Sequence, residues 1–268
     1  ESLRALWGTA ANDAWAVGDA GVILRLRDEG WRPIAMTGAS DLKALWGSRS
    51  QDVWAVGKRR LTAPTLRGEG VAEPRTARAS VALHWDGTSW RSTSVRATTG
   101  LVGLWGRARD DVYASDEVGG LQRWDGASWA PLSTGQSRPI LALWTDDQYE
   151  LSVGQGGLIL STEYRWGSLG WRRNLISRGI VPGDLWASAA YIKRSDFGDF
   201  PSRYVAEVIV VGDDGAIVSS SPYWHVVDSG VKSHLYSATN GSPFVIVGAQ
   251  GTILLGPGSG PFQRIDSG

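Results

Sequence analysis

The sequence predicts an all-β chain folded as a six-bladed β-propeller of four-stranded antiparallel blades, and three observations predict it. A Leu-Trp phrase returns about every 40 residues, a period that marks a repeat architecture. Its copies are Leu6-Trp7-Gly8, Leu45-Trp46-Gly47, Leu104-Trp105-Gly106, Leu143-Trp144 and Leu185-Trp186, with Leu235-Tyr236 as a worn sixth. All 15 tryptophans fall on repeat positions. Trp15 and Trp54 belong to a second phrase, Trp85, Trp124 and Trp166 to a third, and Trp31, Trp90, Trp129, Trp171 and Trp224 open a fourth. Between them, apolar segments of strand length alternate with Gly, Asp and Ser, without a helical period.

The first copy shows the unit: strands at Leu3 to Gly8, Asp13 to Gly18, Gly21 to Arg27 and Trp31 to Met36. Between the second and third strands lies a Gly-x-x-Gly, at Gly18 to Gly21, Gly154 to Gly157, Gly212 to Gly215 and Gly248 to Gly251. No helix follows it, so it reads as a tight hairpin whose positive φ glycine supplies, and not as a phosphate cradle. Between the third and fourth strands come Trp85-Asp86-Gly87-Thr88-Ser89-Trp90 and Trp124-Asp125-Gly126-Ala127-Ser128-Trp129. There Asp accepts backbone amides, Gly takes the left-handed position, and the following Trp packs between sheets. The blades are placed at 1–41, 42–99, 100–139, 140–181, 182–232 and 233–268 of a single domain spanning 1–268. The alternative left open is seven blades, should the sequence be a fragment.

Composition bounds the function. A chain of 268 residues buries roughly 70–75% of its unfolded surface and needs no metal or disulfide staple. Its 27 basic and 27 acidic side chains cancel, which excludes a dedicated nucleic-acid or anionic-membrane binder. There is no cysteine, hence no thiolate chemistry and no Cys-based metal site. No apolar run reaches the ~18–20 residues that cross a bilayer, so no direct membrane span is expected.

The run Val17-Gly18-Asp19-Ala20-Gly21-Val22-Ile23-Leu24 ending in Gly30-Trp31, with the Trp-Asp-Gly-x-Ser-Trp turns, resembles the YCF48-like repeat and the related Asp-box (sialidase-type) β-propeller repeat. The resemblance spans the chain and implies a propeller blade. In place of the family's turn-opening Ser/Thr this sequence has His84 or Arg123.

Candidate chemistry is sparse. Asp13, Asp52 and Asp111 precede second strands, and Asp86 and Asp125 sit in the Trp-Asp-Gly turns. Because several blades share them, they read as repeated turn chemistry and not as one catalytic or calcium site. The three histidines, His84, His225 and His234, show no metal-ligand spacing and read as structural or surface groups. A sialidase-like glycosidase would need an arginine cluster, a tyrosine nucleophile and a glutamate partner, and the Phe/Tyr-Arg-Ile-Pro phrase of that family is absent. The tryptophans could serve a lectin as glycan platforms, but their regular placement is what inter-blade packing demands.

Departures from the repeat carry more information. Block 2 gains a basic insertion from Lys58 to Ser80, with Lys58, Arg59 and Arg60 at its start. Block 5 gains an aromatic, mixed-charge one from Ala187 to about Ala206, with Tyr191, Lys193, Arg194, Phe197, Phe200, Arg203 and Tyr204. Long insertions in a compact repeat are functional or disordered, and these two are expected on opposite faces. The expected function is a non-catalytic binding or scaffolding module outside the cytoplasm, a subunit or assembly factor of a larger complex. It needs no cofactor and no metal; its partner is a protein, with a glycan as the alternative.

Overall fold

The computed structural model describes residues 2–34, 40–59, 80–97, 99–133, 137–145, 150–162, 171–173, 181–194, 204–220, 224–239 and 241–265. The backbone divides into two compact units, Glu1–Pro139 and Ile140–Gly268. Each holds three four-stranded antiparallel sheets, and within every sheet the strands lie in chain order.

In the first unit, blade 1 is β1 (Leu3–Ala10), β2 (Asp13–Gly18), β3 (Ile23–Arg27) and β4 (Gly30–Pro33). Blade 2 is β5 (Ser40–Arg49), β6 (Asp52–Arg59), β7 (Ser80–Trp85) and β8 (Trp90–Ser92). Blade 3 is β9 (Leu101–Ala108), β10 (Asp111–Asp116), β11 (Leu121–Trp124) and β12 (Trp129–Leu132).

In the second unit, blade 4 is β13 (Ile140–Thr145), β14 (Glu150–Gly154), β15 (Leu158–Thr162) and β16 (Trp171–Arg173). Blade 5 is β17 (Leu185–Arg194), β18 (Tyr204–Gly212), β19 (Ile217–Ser219) and β20 (His225–Val227). Blade 6 is β21 (Leu235–Ala238), β22 (Phe244–Gly248), β23 (Ile253–Gly256) and β24 (Gln263–Ile265).

Flat sheets set side by side need bulky groups between them, and in the first unit tryptophan supplies these. Trp15 of blade 1 is fully buried between Trp85 and Trp90 of blade 2, at centroid distances of 5.1 and 5.3 Å. One blade on, Trp54 is held the same way by Trp124 and Trp129, at 4.9 and 5.2 Å. Each clasp joins a second-phrase tryptophan to the third- and fourth-phrase pair of the next blade, as inter-blade packing requires. The first-phrase rings act likewise: a Cβ on Gly47 would lie 2.7 Å from the Trp7 ring, and one on Gly106 2.8 Å from Trp46. At Gly47 and Gly106 the glycine after Leu-Trp is thus imposed by the indole of the preceding blade. In the second unit the described packing is mainly aliphatic, with Val153, Ile159, Leu185 and Val210 between blades 4 and 5 and Trp224 packed against them. Ile209, Ile217, Phe244 and Ile246 lie between blades 5 and 6.

The repeated aspartates are structural, but by a different route from turn closure. Asp52 is buried and accepts from His84 Nε2 at 2.6 Å and from the Ser48 hydroxyl, while His84 stacks on Trp54 at 4.1 Å. Asp111 pairs with Arg107 and, at 2.7 Å, with Arg123. Asp13 faces Arg25 and Arg27, and Arg25 lies 4.5 Å over the Trp15 ring. A third-strand cation or imidazole therefore tethers a second-strand Asp while covering a second-strand aromatic. This accounts for His84 and Arg123 at the turn-opening position. Burial opposes ionisation of Asp52 and Asp111, yet these partners outweigh it and hold both carboxyls below the ordinary range. The Trp-Asp-Gly turns close as expected: Asp86 Oδ1 accepts the amides of Thr88 and Ser89, Asp125 Oδ1 those of Ala127 and Ser128, and Gly87 and Gly126 have φ of +98° and +96°.

The Gly-x-x-Gly hairpins divide their labour unexpectedly. The second glycines, Gly21, Gly215 and Gly251, have φ of +77°, +74° and +67°, and the residues before them, Ala20, Asp214 and Gln250, are also left-handed. The first glycines are extended. They are needed for approach: a Cβ would sit 2.1 Å from the Ser2 carbonyl at Gly18 and 2.3 Å from the Asp184 carbonyl at Gly212.

A candidate docking surface on blades 5 and 6

The first strand of every blade bulges after a Leu or Ile, which is exposed in blade 1 and buried in the other five. Leu3 pairs with Gly18, Leu42 with Gly57, Leu101 with Asp116, Ile140 with Gly154, Leu185 with Gly212 and Leu235 with Gly248, and each ladder then skips one residue. The skipped residues are Arg4, Lys43, Val102, Leu141, Trp186 and Tyr236. A bulge re-aims a side chain out of the ladder, so these six positions present variable groups at the end of the sheet that carries the second-to-third turn.

This register overturns part of the repeat assignment. Leu185-Trp186 and Leu235-Tyr236 align with Leu3-Arg4 and not with Leu6-Trp7; the counterparts of Leu6-Trp7 are Ser188-Ala189 and Ala238-Thr239. The two phrases share letters with the other copies but sit three residues out of step. A small residue stands two places after the leading Leu or Ile in this frame (Ala5, Ala44, Gly103, Ala142, Ala187, Ser237), but Gly8, Gly47 and Gly106 stand likewise after Leu6, Leu45 and Leu104, so only the pairing separates the two frames.

The six positions fall into three kinds. Arg4 and Lys43 both pair with Asp19, at 2.6 and 3.2 Å; the Arg4 hydrogen bond leads in lowering the Asp19 carboxyl to about 2. Val102 and Leu141 are half-buried. Trp186 and Tyr236 are exposed, at 37% and 51%, and meet edge to face with centroids 6.4 Å apart. Tyr236 also stacks with His234 at 6.4 Å.

Asp213, in the turn after β18, organises the group. Its Oδ1 accepts from Trp186 Nε1 at 2.7 Å and lies 2.9 Å from His234 Nδ1, and its Oδ2 accepts the Asp184 amide at 2.9 Å. Partial burial opposes its ionisation, but the bonds from Trp186 and the Asp184 amide prevail and hold it below the ordinary carboxylate range. Asp184 in turn accepts the Gly156 amide of blade 4 at 2.9 Å. Asp213 therefore holds the Trp186 and His234 rings by hydrogen bonds, and Tyr236 packs against both.

The sequence-derived docking residues are distributed differently. Lys58 is the penultimate residue of β6 and pairs with Glu117 at 3.0 Å; Arg59 is the exposed last residue of the strand, opposite Ser40. Tyr191 packs half-buried against the apolar cluster of blades 5 and 6. Lys193 and Arg194 continue β17 and Tyr204 opens β18, with Arg194 opposite Tyr204. The block 5 insertion is thus in large part a lengthened hairpin, because its backbone groups pair across the ladder. Arg60, Phe197, Phe200 and Arg203 lie outside the described residues. Sequence reasoning missed Asp213 and Trp186 as site residues and read His234 as structural or surface.

No family model matches the sequence, and no curated protein matches it. Among solved structures the chain is similar to YCF48 bound to D1 peptide, at 13% identity over 98% of this chain and 80% of that one, with a TM-score of 0.64. It is similar to YCF48 from Cyanidioschyzon merolae, at 13% identity over 98% and 84% of the two chains and the same TM-score of 0.64. It is also similar to the WD40 repeats of RRP9, at 12% identity over 99% and 80%, with a TM-score of 0.65. The fold is a six-bladed β-propeller. At these identities the likeness is one of fold, and it is shared by YCF48 and WD40 propellers alike.

Proposed function

We propose that this propeller is a non-catalytic binding module that docks a protein partner through the Trp186, Tyr236, His234 and Asp213 surface. In this reading it serves as a subunit or assembly factor of a larger complex outside the cytoplasm. The observation that carries the reading is the pair of exposed aromatic side chains, Trp186 fixed by the Asp213 carboxylate and Tyr236 packed edge to face against it. Trp and Tyr dominate the energetics of protein interfaces because each buries a large rigid area at low entropic cost, and pre-orientation by Asp213 lowers that cost further. The similar YCF48 structure was solved with a peptide bound, which supports a peptide or protein ligand. A cysteine-free chain suits an oxidising compartment, where no thiol can mispair.

The glycan alternative rests on Trp186 as a stacking platform. A repeat lectin would offer equivalent aromatic platforms on several blades, whereas among the described bulge positions the exposed aromatics are Trp186 and Tyr236. That distribution favours one composite protein-binding surface.

The test is capture from cell envelope and cytosolic fractions of the native source with the wild-type propeller and the double variant Trp186→Ala/Tyr236→Ala. A stoichiometric protein retained from the envelope fraction by the wild type and lost with the variant is the expected result. Retention of only a glycoconjugate, released by free sugar, would replace the reading with the lectin one.

A further inference from the structure

The docking surface continues on one side into a cleft of about 440 Å³ in blade 6. Its walls are the connection 230–234 leading into β21, the β22–β23 turn at Gln250, and Arg264 of β24. No acidic side chain is among the described residues that line it, while Lys232, His234 and Arg264 are. Lys232 and Arg264 are exposed, and neither pairs with a carboxylate among the described residues. This is unlike Arg4, Lys43 and Lys58 of the first unit, whose charges Asp19 and Glu117 neutralise. Two cations that no described carboxylate neutralises line one cleft and create a positive potential that an anionic group would relieve.

The geometry of the rim narrows the ligand. His234 and Tyr236 stand side by side with ring centroids 6.4 Å apart. An extended chain rises about 3.3 Å per residue, so its side chains on one face recur every ~6.6 Å. One residue of an extended segment can enter the cleft at Lys232, His234 and Arg264 while the residue two places along lies on Tyr236 and Trp186. The polar lining is built from long side chains and from a hydroxyl pair, Ser233 and Thr252, already bonded to each other at 2.7 Å. Phosphate sites of a fold are more often cradles of backbone amides, whereas the donors here are side-chain cations, which a carboxylate can accept from.

We propose that the blade 6 cleft binds the side-chain carboxylate of an acidic residue in an extended segment of the protein partner, with an aromatic or large apolar residue two positions away seated on Tyr236 and Trp186. The inference rests on the docking surface proposed above and gives it a ligand chemistry. Arg264 supplies a planar fork suited to carboxylate oxygens, Lys232 a second charge, and the aromatic pair the apolar anchor.

The test is titration of the full chain with a blocked heptapeptide of core Glu-Ser-Phe, its Gln-Ser-Phe isostere, a phosphoserine-Ser-Phe analogue and inorganic phosphate, at low and high salt. The protein is the wild type and the variant Lys232→Glu/Arg264→Glu, whose exposed positions leave the fold intact. The expected result is binding of the Glu peptide that weakens with salt, with about a tenfold loss for the Gln isostere, the scale of one charge-assisted contact. The charge-reversed variant should lose at least that much toward the Glu peptide. Equal binding of the Glu and Gln peptides, no binding of the Glu peptide, or indifference to the charge reversal would overturn the inference. Tighter binding of the phosphoserine peptide with competition by inorganic phosphate would also overturn it and make the cleft a phosphate site. If the peptides fail while capture dependent on Trp186 and Tyr236 persists, the cleft assignment falls and the docking surface stands. If capture itself fails, the docking surface falls, and the peptide titration still decides the cleft on its own result.

Discussion

The indole Nε1 of Trp186 donates to Asp213 Oδ1 at 2.7 Å, fixing an exposed ring at the bulge that opens blade 5. The bond ties the first strand of that blade to its own second-to-third turn, so one carboxylate sets both the ring's orientation and the position of its neighbour His234. Without Asp213 the ring would keep its area but lose its preset rotamer.

The variant Asp213→Ala should therefore weaken partner capture by about the tenfold expected for loss of pre-organisation and one charge-assisted bond. Stability should fall by only about 1 kcal/mol, because the group is partly solvated and its bonds are discounted accordingly. Capture and a urea melt of the same preparation separate the two effects. A large stability loss with unchanged capture per folded molecule would make Asp213 a purely structural group.

The two kinds of glycine should respond differently to alanine. At Gly212 a methyl group would meet the Asp184 carbonyl at 2.3 Å, forcing the bulge to move, and a loss of about 2 kcal/mol or more is expected, as for overpacking. At Gly230, with φ of +70° and nothing within 4 Å of an added Cβ, only the left-handed strain of about 1–2 kcal/mol applies. Chemical denaturation of Gly212→Ala and Gly230→Ala gives the comparison; the reverse order would refute the close-approach account.

Much of the fold is legible in the chain because its determinants are local. Apolar runs of strand length, Trp-Asp-Gly turns and the glycine hairpins each act within a few residues, so four strands per blade and the strand at Asp13–Gly18 follow from them, while the third strand, expected from Gly21, begins at Ile23. The docking surface was hidden because a bulge is defined by pairing between strands. Leu185-Trp186 looks like Leu6-Trp7 as letters, yet Leu185 pairs with Gly212 as Leu3 pairs with Gly18. That slip turned an exposed ring into an assumed core one. The role of Asp213 was hidden for the same reason: its partners Trp186 and His234 lie on two different blades.

Acid should loosen the first unit through its buried carboxylates. Asp52 titrates below the ordinary carboxylate value near 3.9 because His84 and Ser48 outweigh the penalty of burial. A depressed folded value means the unfolded chain takes up the proton first. The stabilisation from this pair is complete above that ordinary value and drains away as pH falls toward the lower folded value. In Asp52→Asn the urea midpoint should be lower at neutral pH and should decline less steeply below pH about 4 than in the wild type. Parallel curves for the two proteins would remove Asp52 from the account.

Trp54 and Trp31 test whether the tryptophans act as wedges between blades. Trp54 is fully buried between Trp124 and Trp129 with His84 stacked on its face, whereas Trp31 is 44% exposed on the last strand of blade 1. Trp54→Ala would leave a cavity between blades 2 and 3, and a cost of about 3–5 kcal/mol is expected. It should also release His84 from its stacking partner and so weaken the Asp52 pair, making the loss larger than the cavity alone. Trp31→Ala should cost under about 1 kcal/mol, the range of an exposed substitution. Because Trp54 and His84 touch, the double variant Trp54→Ala/His84→Ala should lose less than the two single losses added together. Simple additivity would show that the ring and the imidazole stabilise the blade independently.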